Sequence, residues 1–376
     1  MIYLDNSATT KPAGEVADKI YEMLTEKFGN PSSFHKAGLD ANAEIRAARK
    51  ALASELSCEE EEVFFTSGGT EANNLAIFGA AEANRRRGKR IVTTEIEHES
   101  VLEAVKALEA QGFEVVRLAP DSEGKISVSQ LAEAINGETV LVSVMYVNNE
   151  VGSVLPVSSI RKAVARAGAP ALIHIDCVQA FGKIPVKPKK LGADLITVTA
   201  HKIHGPKGVG ALYIRKGARI IPRQYGGAQE QKLRPGTEAA PLIAGFGKAV
   251  ELIPDYKESA EKMSALNSYA KEKLCAINGV SINSADDASD YIINLFVPSF
   301  MTSQTVVQHL SSSYGICVSS GSACAKGKKS HVLTAMRLPD KKIEHSIRIS
   351  FSRFTTESEI DALAEAIKET AEKYPM

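Results

Sequence analysis

Lys202 follows the run Leu195-Ile-Thr-Val-Thr199 after two residues and stands just ahead of His204-Gly205-Pro206-Lys207-Gly208. A lysine at the carboxyl end of a buried strand, before a Gly-Pro turn, is placed to form a Schiff base if burial or a neighbouring cation lowers its amine pKa. The same letters suit a solvent-facing loop lysine, the usual fate of that residue. Asp176 closes a second apolar run, Leu172-Ile173-His174-Ile175. A carboxylate where a buried strand finishes costs free energy unless it has a partner. A pyridinium nitrogen would be one such partner; capping the next helix is the plainer role. Gln179, three residues on, could reach the same ring. A third segment, Thr66-Ser67-Gly68-Gly69-Thr70-Glu71, combines glycines and hydroxyls ahead of an Ala-rich stretch. That is a phosphate cradle at a helix amino terminus in outline, or an ordinary N-capped helix start. The ending of a nucleotide P-loop is missing.

Cys324 lies in Ser319-Ser-Gly-Ser-Ala-Cys-Ala-Lys-Gly-Lys-Lys, a polar stretch with three lysines in the five residues after the thiol. Nearby cations favour the thiolate, lowering its pKa from about 8.5. The composition suits a segment that swings between a site and an outside acceptor. The other four cysteines have plainer readings. Cys317 and Cys177 sit among apolar residues and read as core, Cys58 adjoins glutamates that disfavour a thiolate, and Cys275 falls late in a helix. Five scattered cysteines with no CxxC pair argue for reduced thiols in the cytoplasm and against a disulfide framework or a structural zinc site. The expectation is therefore no bound metal.

The elements that must hold these residues follow from the apolar patterning. Strands are predicted at Val63–Thr66, Arg90–Thr94, Glu114–Leu118, Thr139–Tyr146, Leu172–Asp176, Leu195–Thr199 and Gly210–Ile214, with helices such as Ala72–Arg87, Ser100–Gln111 and Val128–Ile135 between them. Buried strands alternating with helices predict an α/β fold with a mostly parallel sheet covered on both faces and a ligand site at the strands' carboxyl ends. Beyond Leu252 a long charged helix, Tyr256–Ile277, leads into mixed elements at Tyr291–Val297, Ser346–Phe351 and Glu357–Lys373. This predicts a large domain over residues 15–255 and a smaller α+β domain from 1–14 and 256–376, with a mobile loop over about 311–330 that carries Cys324. The 376 residues are 44% hydrophobic, and 45 basic side chains balance 45 acidic ones. No global charge draws this chain to nucleic acid or an anionic membrane. The start, MIYLDNSATT, does not read as a signal peptide, and runs such as Ala171–Ile175 are far shorter than a membrane span.

Taken in order, TSGGTEANN, His98 in TEIEHES, VNNE at 147–150, HIDCVQ at 174–179, TAHKIHGPKG and RPGT at 234–237 resemble the class V aminotransferase group of fold-type I pyridoxal-phosphate enzymes. Within that group, SSGSAC at 319–324 and IRISFSRFTT at 347–356 are similar to cysteine desulfurases of the NifS/IscS kind. Each motif is weak alone; their order along essentially the whole chain is specific. The resemblance implies pyridoxal 5'-phosphate as cofactor, held covalently by Lys202. It implies His98 stacked on the ring as an acid–base group, Asp176 at the ring nitrogen, and Gln179 and Asn149 near the ring hydroxyl and substrate. Gly69, Thr70, Thr199 and His201 match the phosphate cradle, and Thr237 matches a threonine reaching the neighbouring subunit's phosphate, which implies a homodimer. Arg348 matches the clamp on the substrate carboxylate, a task suited to a planar bidentate donor. Cys324 would take sulfur from free cysteine as a persulfide, leave alanine, and pass the sulfur to an acceptor protein, either an iron–sulfur scaffold or a tRNA-thiolating enzyme.

The sequence departs from that pattern in two places. His204 stands where many relatives carry an aromatic residue, and the stretch AKGKKSHVLTAM after Cys324 is lysine-rich where scaffold-partnered enzymes continue in Ser and Thr. The second departure leaves the acceptor open. A selenocysteine lyase or related lyase or aminotransferase would share the cofactor site but needs no Cys324 loop. A non-catalytic sulfur carrier would keep the fold without the covalent lysine. A dinucleotide-binding dehydrogenase is disfavoured because the Gly205–Gly210 run lacks GxGxxG spacing.

Overall fold

The computed structural model describes residues 1–320 and 329–376; Cys324 lies outside the described residues. The strands are β1 (Ile2–Tyr3), β2 (Val63–Thr66), β3 (Arg90–Thr94), β4 (Glu114–Leu118), β5 (Thr139–Met145), β6 (Leu172–Asp176), β7 (Leu195–Thr199), β8 (Gly210–Ile214), β9 (Ser281–Ile282), β10 (Ile292–Phe296), β11 (Ile316–Cys317) and β12 (Ser346–Ser350). Seven of them form one sheet in the order β2-β8-β7-β6-β5-β3-β4. The β3–β4, β3–β5, β5–β6 and β6–β7 pairs are parallel, while β8 runs antiparallel to both β7 and β2. The chain between Thr199 and Gly210 is too short for a crossover helix, so β8 has to return antiparallel.

Side chains alternate across this sheet with the period of two that a pleated strand imposes. Ile91, Leu141, Leu195 and Leu212 join one buried cluster with Ile77, Phe78, Val105 and Leu108 of helices Gly69–Asn84 and Glu99–Ala110. Their neighbours Val92, Val142, Ile196 and Ala211 enter a second cluster on the opposite face, which runs on without a break into Leu295, Ile347 and Ile349. Three polar side chains on adjacent strands interrupt the apolar layer. Ser143 Oγ lies 2.8 Å from His174 Nδ1, and His174 Nε2 lies 3.0 Å from Thr197 Oγ1, a ladder across β5, β6 and β7. Burial holds this histidine down at about 4, so the ladder is neutral and every member is satisfied.

A three-stranded antiparallel sheet, β12-β10-β9, is flanked by helices Tyr256–Cys275 and Glu357–Lys373. The amino terminus lies beside it: β1 pairs with β11 (Ile2 opposite Ile316) and Asp5 bridges Ser350. Helix Gly69–Asn84 starts three residues before the expected Ala72. Helices Gly14–Thr25, Lys36–Leu56 and Ala240–Glu251 were not singled out by the patterning. The segment expected as loop from residue 311 is helical to Tyr314, in helix Ser303–Tyr314, and re-enters a strand at Ile316–Cys317. Its serines sit on the exposed side of the last helical turn, where polarity carries no loop signal.

Asp194, fully buried at the head of β7, accepts from the Ile173 N–H at 2.9 Å, Arg161 Nη2 at 2.7 Å and Arg215 Nε at 2.6 Å, tying β6, β7 and β8 together. Asp194→Ala strands one buried N–H and two guanidinium groups that are half-exposed and can rehydrate. The expected cost is about 2–3 kcal/mol, the low end of the range for a broken buried pair, read as a lowered urea midpoint.

Candidate active site

A cavity of about 360 Å³ opens where β5, β6 and β7 end, the position at which parallel sheets gather ligands. It brings together Gly69, Thr70, His98, Asn149, Asp176, Gln179, Thr199, His201, Lys202 and Arg348. Thr237 is not among them: it is exposed and lines a separate surface hollow with Arg223 and Tyr225.

Lys202 sits in the single helical turn Ala200–Lys202 directly after β7. Its amine donates to the carbonyls of Ser7 and Ala8, the latter at 2.7 Å, and to no carboxylate. Burial lowers its pKa to about 7, with repulsion from Arg348 and Lys183 adding to the effect. A neutral amine in contact with carbonyl oxygens is a nucleophile and a base, which an exposed ammonium is not.

Asp176 is buried at the last position of β6. Oδ2 accepts from Asn73 Nδ2 at 2.7 Å and Oδ1 from the Val178 N–H at 2.9 Å. These are neutral donors, so the carboxylate faces the cavity with its charge uncompensated by them, which suits a protonated ring nitrogen. The same Asn73 amide reaches Ser100 Oγ at 2.9 Å, and its Oδ1 has no partner among the described residues.

Helix Gly69–Asn84 aims its amino terminus at the cavity, and no side chain caps it. Its first N–H groups are therefore available to an anion. Two glycines make room there. Gly68 turns at φ +155°, which side chains rarely adopt, and a Cβ on Gly210 of β8 would stand 2.8 Å from the Gly68 carbonyl carbon. Thr199 sits beside this cradle, but its single hydroxyl proton goes to the Val209 carbonyl at 3.1 Å. In this arrangement it offers an acceptor, not a donor. His201 contacts Thr9 Oγ1 at 3.2 Å, and burial together with Lys202 and Lys207 holds it down at about 4.

His98 caps helix Glu99–Ala110, its Nδ1 accepting from the Ser100 N–H at 3.1 Å. A backbone N–H can only donate, so the neutral ring carries its proton on Nε2. Burial keeps its pKa below the usual histidine value. Arg348, almost fully buried on β12, gives Nη2 to Asp5 Oδ1 and Nη1 to the Asn149 carbonyl, at 2.7 and 2.8 Å. Its Nε and the Asn149 Oδ1 have no partner among the described residues. A guanidinium has five N–H donors, so donors remain for a second carboxylate.

Gln179 was singled out in the sequence; its neighbours Lys183 and Glu97 were not. Gln179 is held on both sides, Nε2 giving to the Ser7 carbonyl at 2.9 Å and Oε1 receiving Lys183 Nζ at 3.1 Å. Glu97 is fully buried under the site and burial lifts its pKa to about 8; Glu150, lifted likewise, receives Ser330 Oγ at 2.5 Å. Lys183 reads as a turn lysine and Glu97 as a helix-cap neighbour until the fold buries them.

The set suits a cofactor with an aldehyde, a basic ring nitrogen and a phosphate: a buried amine of lowered pKa, a carboxylate held by neutral donors and an uncapped helix end open into one cavity. The family described as Aminotransferase class-V matches residues 2–363. A cysteine desulfurase of Nostoc sp. is 41% identical, covering 99% of this chain and 93% of that protein. Among solved structures, a NifS-like protein superposes with a TM-score of 0.93 at 37% identity, covering 99% of both chains. A structure of SspA in complex with cysteine superposes with a TM-score of 0.83 at 33% identity, covering 95% of this chain and 100% of that one.

The Lys202 environment gives a measurable expectation. Acetylation of Lys202 in the cofactor-free chain, followed by mass spectrometry of its peptide, should titrate with a midpoint near the value of about 7. Labelling is full above that pH and falls about tenfold per unit below it, while exposed lysines titrate near 10.4.

Proposed function

The chain belongs to the class V aminotransferase family, and on that premise we propose that it is a pyridoxal-phosphate-dependent cysteine desulfurase acting through Lys202 and Cys324. The observation that carries the reading is the buried, carboxylate-free Lys202 amine, its pKa lowered by burial, in one cavity with Asp176 and the uncapped helix end. Lys202 would hold the cofactor covalently, Asp176 its ring nitrogen, Gln179 its hydroxyl and His98 its ring face. The N–H groups of Gly69 and Thr70, with His201 and Thr199 beside them, would receive the phosphate. When bound, pyridoxal phosphate supplies an electron sink that stabilises a carbanion next to the substrate amine.

The protein's own groups do the rest. Arg348 and Asn149 orient the carboxylate of cysteine, Arg348 through N–H groups not already given to Asp5 and the Asn149 carbonyl. Lys202, once released, takes the proton from the substrate's α-carbon, because burial brings its amine down to about 7 and a large share of it is unprotonated at neutral pH. His98 donates from Nε2, its Nδ1 being occupied. The Cys324 thiolate attacks the substrate sulfur; the carbon–sulfur bond breaks with its electron pair left on carbon, that carbon gains a proton, and alanine departs. Cys324 is left as a persulfide whose outer sulfur passes to an acceptor thiol. Both flanks of this segment reach the cavity: Ser319 pairs with Arg348 through the backbone, and His331 lines the cavity. Cys324 is five residues from Ser319, a span of at most about 18 Å.

Thr237 and the dimer belong to the same proposal. Thr237 would serve the phosphate of a second copy, and the exposed Tyr21, Leu24, Phe28 and Phe34 offer apolar surface for that copy to cover. None of the described helices is long and apolar enough to cross a membrane, and a cytoplasmic site of action, with an iron–sulfur scaffold or a tRNA-thiolating enzyme as acceptor, completes the reading.

Mass spectrometry after incubation with cysteine should find one added sulfur on the Cys324 peptide. Cys324→Ala should release no sulfide or alanine while keeping the cofactor's visible absorption; activity surviving in that variant sinks the assignment. Arg348→Lys should raise KM for cysteine by roughly 10- to 100-fold, the loss expected when a bidentate contact becomes a point charge.

A further inference from the structure

Lys183 is a second buried amine beside Lys202, 7% exposed, and takes no part in the reaction above. Its contacts are Gln179 Oε1 at 3.1 Å and the face of Tyr291, 5.5 Å from the ring centre. No carboxylate is among them. A lysine has only donors, so it admits the oxygen end of the Gln179 amide and turns Nε2 the other way. That Nε2 meets the Ser7 carbonyl at 2.9 Å, and the same carbonyl accepts from Lys202. Hydrogen bonds thus run from Lys183 through Gln179 and Ser7 to Lys202, with the amide orientation set at both ends, because the Ser7 carbonyl can only accept.

We propose that Lys183 is a positioning residue for the cofactor lysine: it helps to orient the Gln179 amide and, when it carries a proton, disfavours a second proton on the Lys202 amine. This deepens the pyridoxal-phosphate reading and rests on it for its purpose. The other groups facing Lys202 are committed elsewhere. Arg348 repels it but is bound by Asp5; Asp176 attracts it but is held by Asn73 and the Val178 N–H; His98 and His201 are kept neutral by burial. On the far side, His204, Tyr291 and Arg353 line a small void with both lysines; burial keeps His204 neutral, and Arg353 lies over the Phe354 ring. Lys183, whose own amine burial brings down to about 7, is therefore the basic group near Lys202 that can be altered without touching the proposed substrate clamp.

The test is the pH profile of Lys202 acetylation in the cofactor-free full chain, compared among wild type and Lys183→Met, Lys183→Gln and Lys183→Arg. Both neutral variants should move the midpoint up by about one pH unit, or roughly tenfold less labelling below it, the effect of losing one nearby like charge. Lys183→Arg keeps the charge and should leave the midpoint in place or lower it. Midpoints unchanged in both neutral variants, or raised as far by arginine as by methionine, overturn the proposal and make Lys183 a packing residue. A wild-type chain that takes up no pyridoxal phosphate at Lys202, read from visible absorption, sinks the cofactor reading and leaves the acetylation comparison standing.

Discussion

A lysine amine buried against carbonyl oxygens, with no carboxylate to pair with, is the constraint around which this site is arranged. Three basic side chains, Lys202, Lys183 and Arg348, lie close together at one side of the site, where the acidic groups acting on Lys202 are Asp5 and Asp176. An arginine cannot shed its proton inside a protein, whereas a lysine can. The contacts follow that difference. Arg348 donates to Asp5 at 2.7 Å, and the two lysines, given only carbonyl and amide oxygens, are brought down by burial to about 7. Asp176 is left to neutral donors, so its charge remains for a ligand. The chemistry of the cavity is thus set by which cation gets the spare carboxylate.

The sheet beneath makes that arrangement rigid. Asp176 and Lys202 lie at or just past the ends of adjacent parallel strands, β6 and β7, whose pairing runs from His174–Leu195 to Asp176–Thr197. The Ser143–His174–Thr197 ladder and the Asp194 carboxylate, both fully satisfied, lock the same strands in register from within and from the opposite end. A one-residue slip would bury Asp176's neighbours and turn its carboxylate to the other face. Polar residues inside this sheet therefore specify position more than they add stability.

Much of this was legible in the chain because it rests on local signals. All seven large-sheet strands were recognisable from short apolar runs, with bounds off by at most one residue. The start of helix Gly69–Asn84 was not, because two glycines are poor helix formers and only the packing against β8 and Val178 explains them there. What composition could not show is long-range. Nothing in Asp5 or Ser7 announces that they sit against Arg348 and Lys202, and Lys183 in Phe-Gly-Lys-Ile looks like any turn lysine. Thr199 shows a subtler limit: its place beside the cradle is as expected, but its proton is spent on Val209.

Contacts between segments far apart in the chain bear on how the site comes into being. Asp5 and Ser7 are synthesised well before Lys202, and Arg348, which donates to Asp5, follows Asp5 by more than 340 residues. Until β12 is made, the Asp5–Arg348 pair that ties the segment around Ser7 to that strand cannot form. Synthesis from the amino terminus thus postpones completion of the site, and a chain truncated before β12 would hold Lys202 and Asp176 without Arg348.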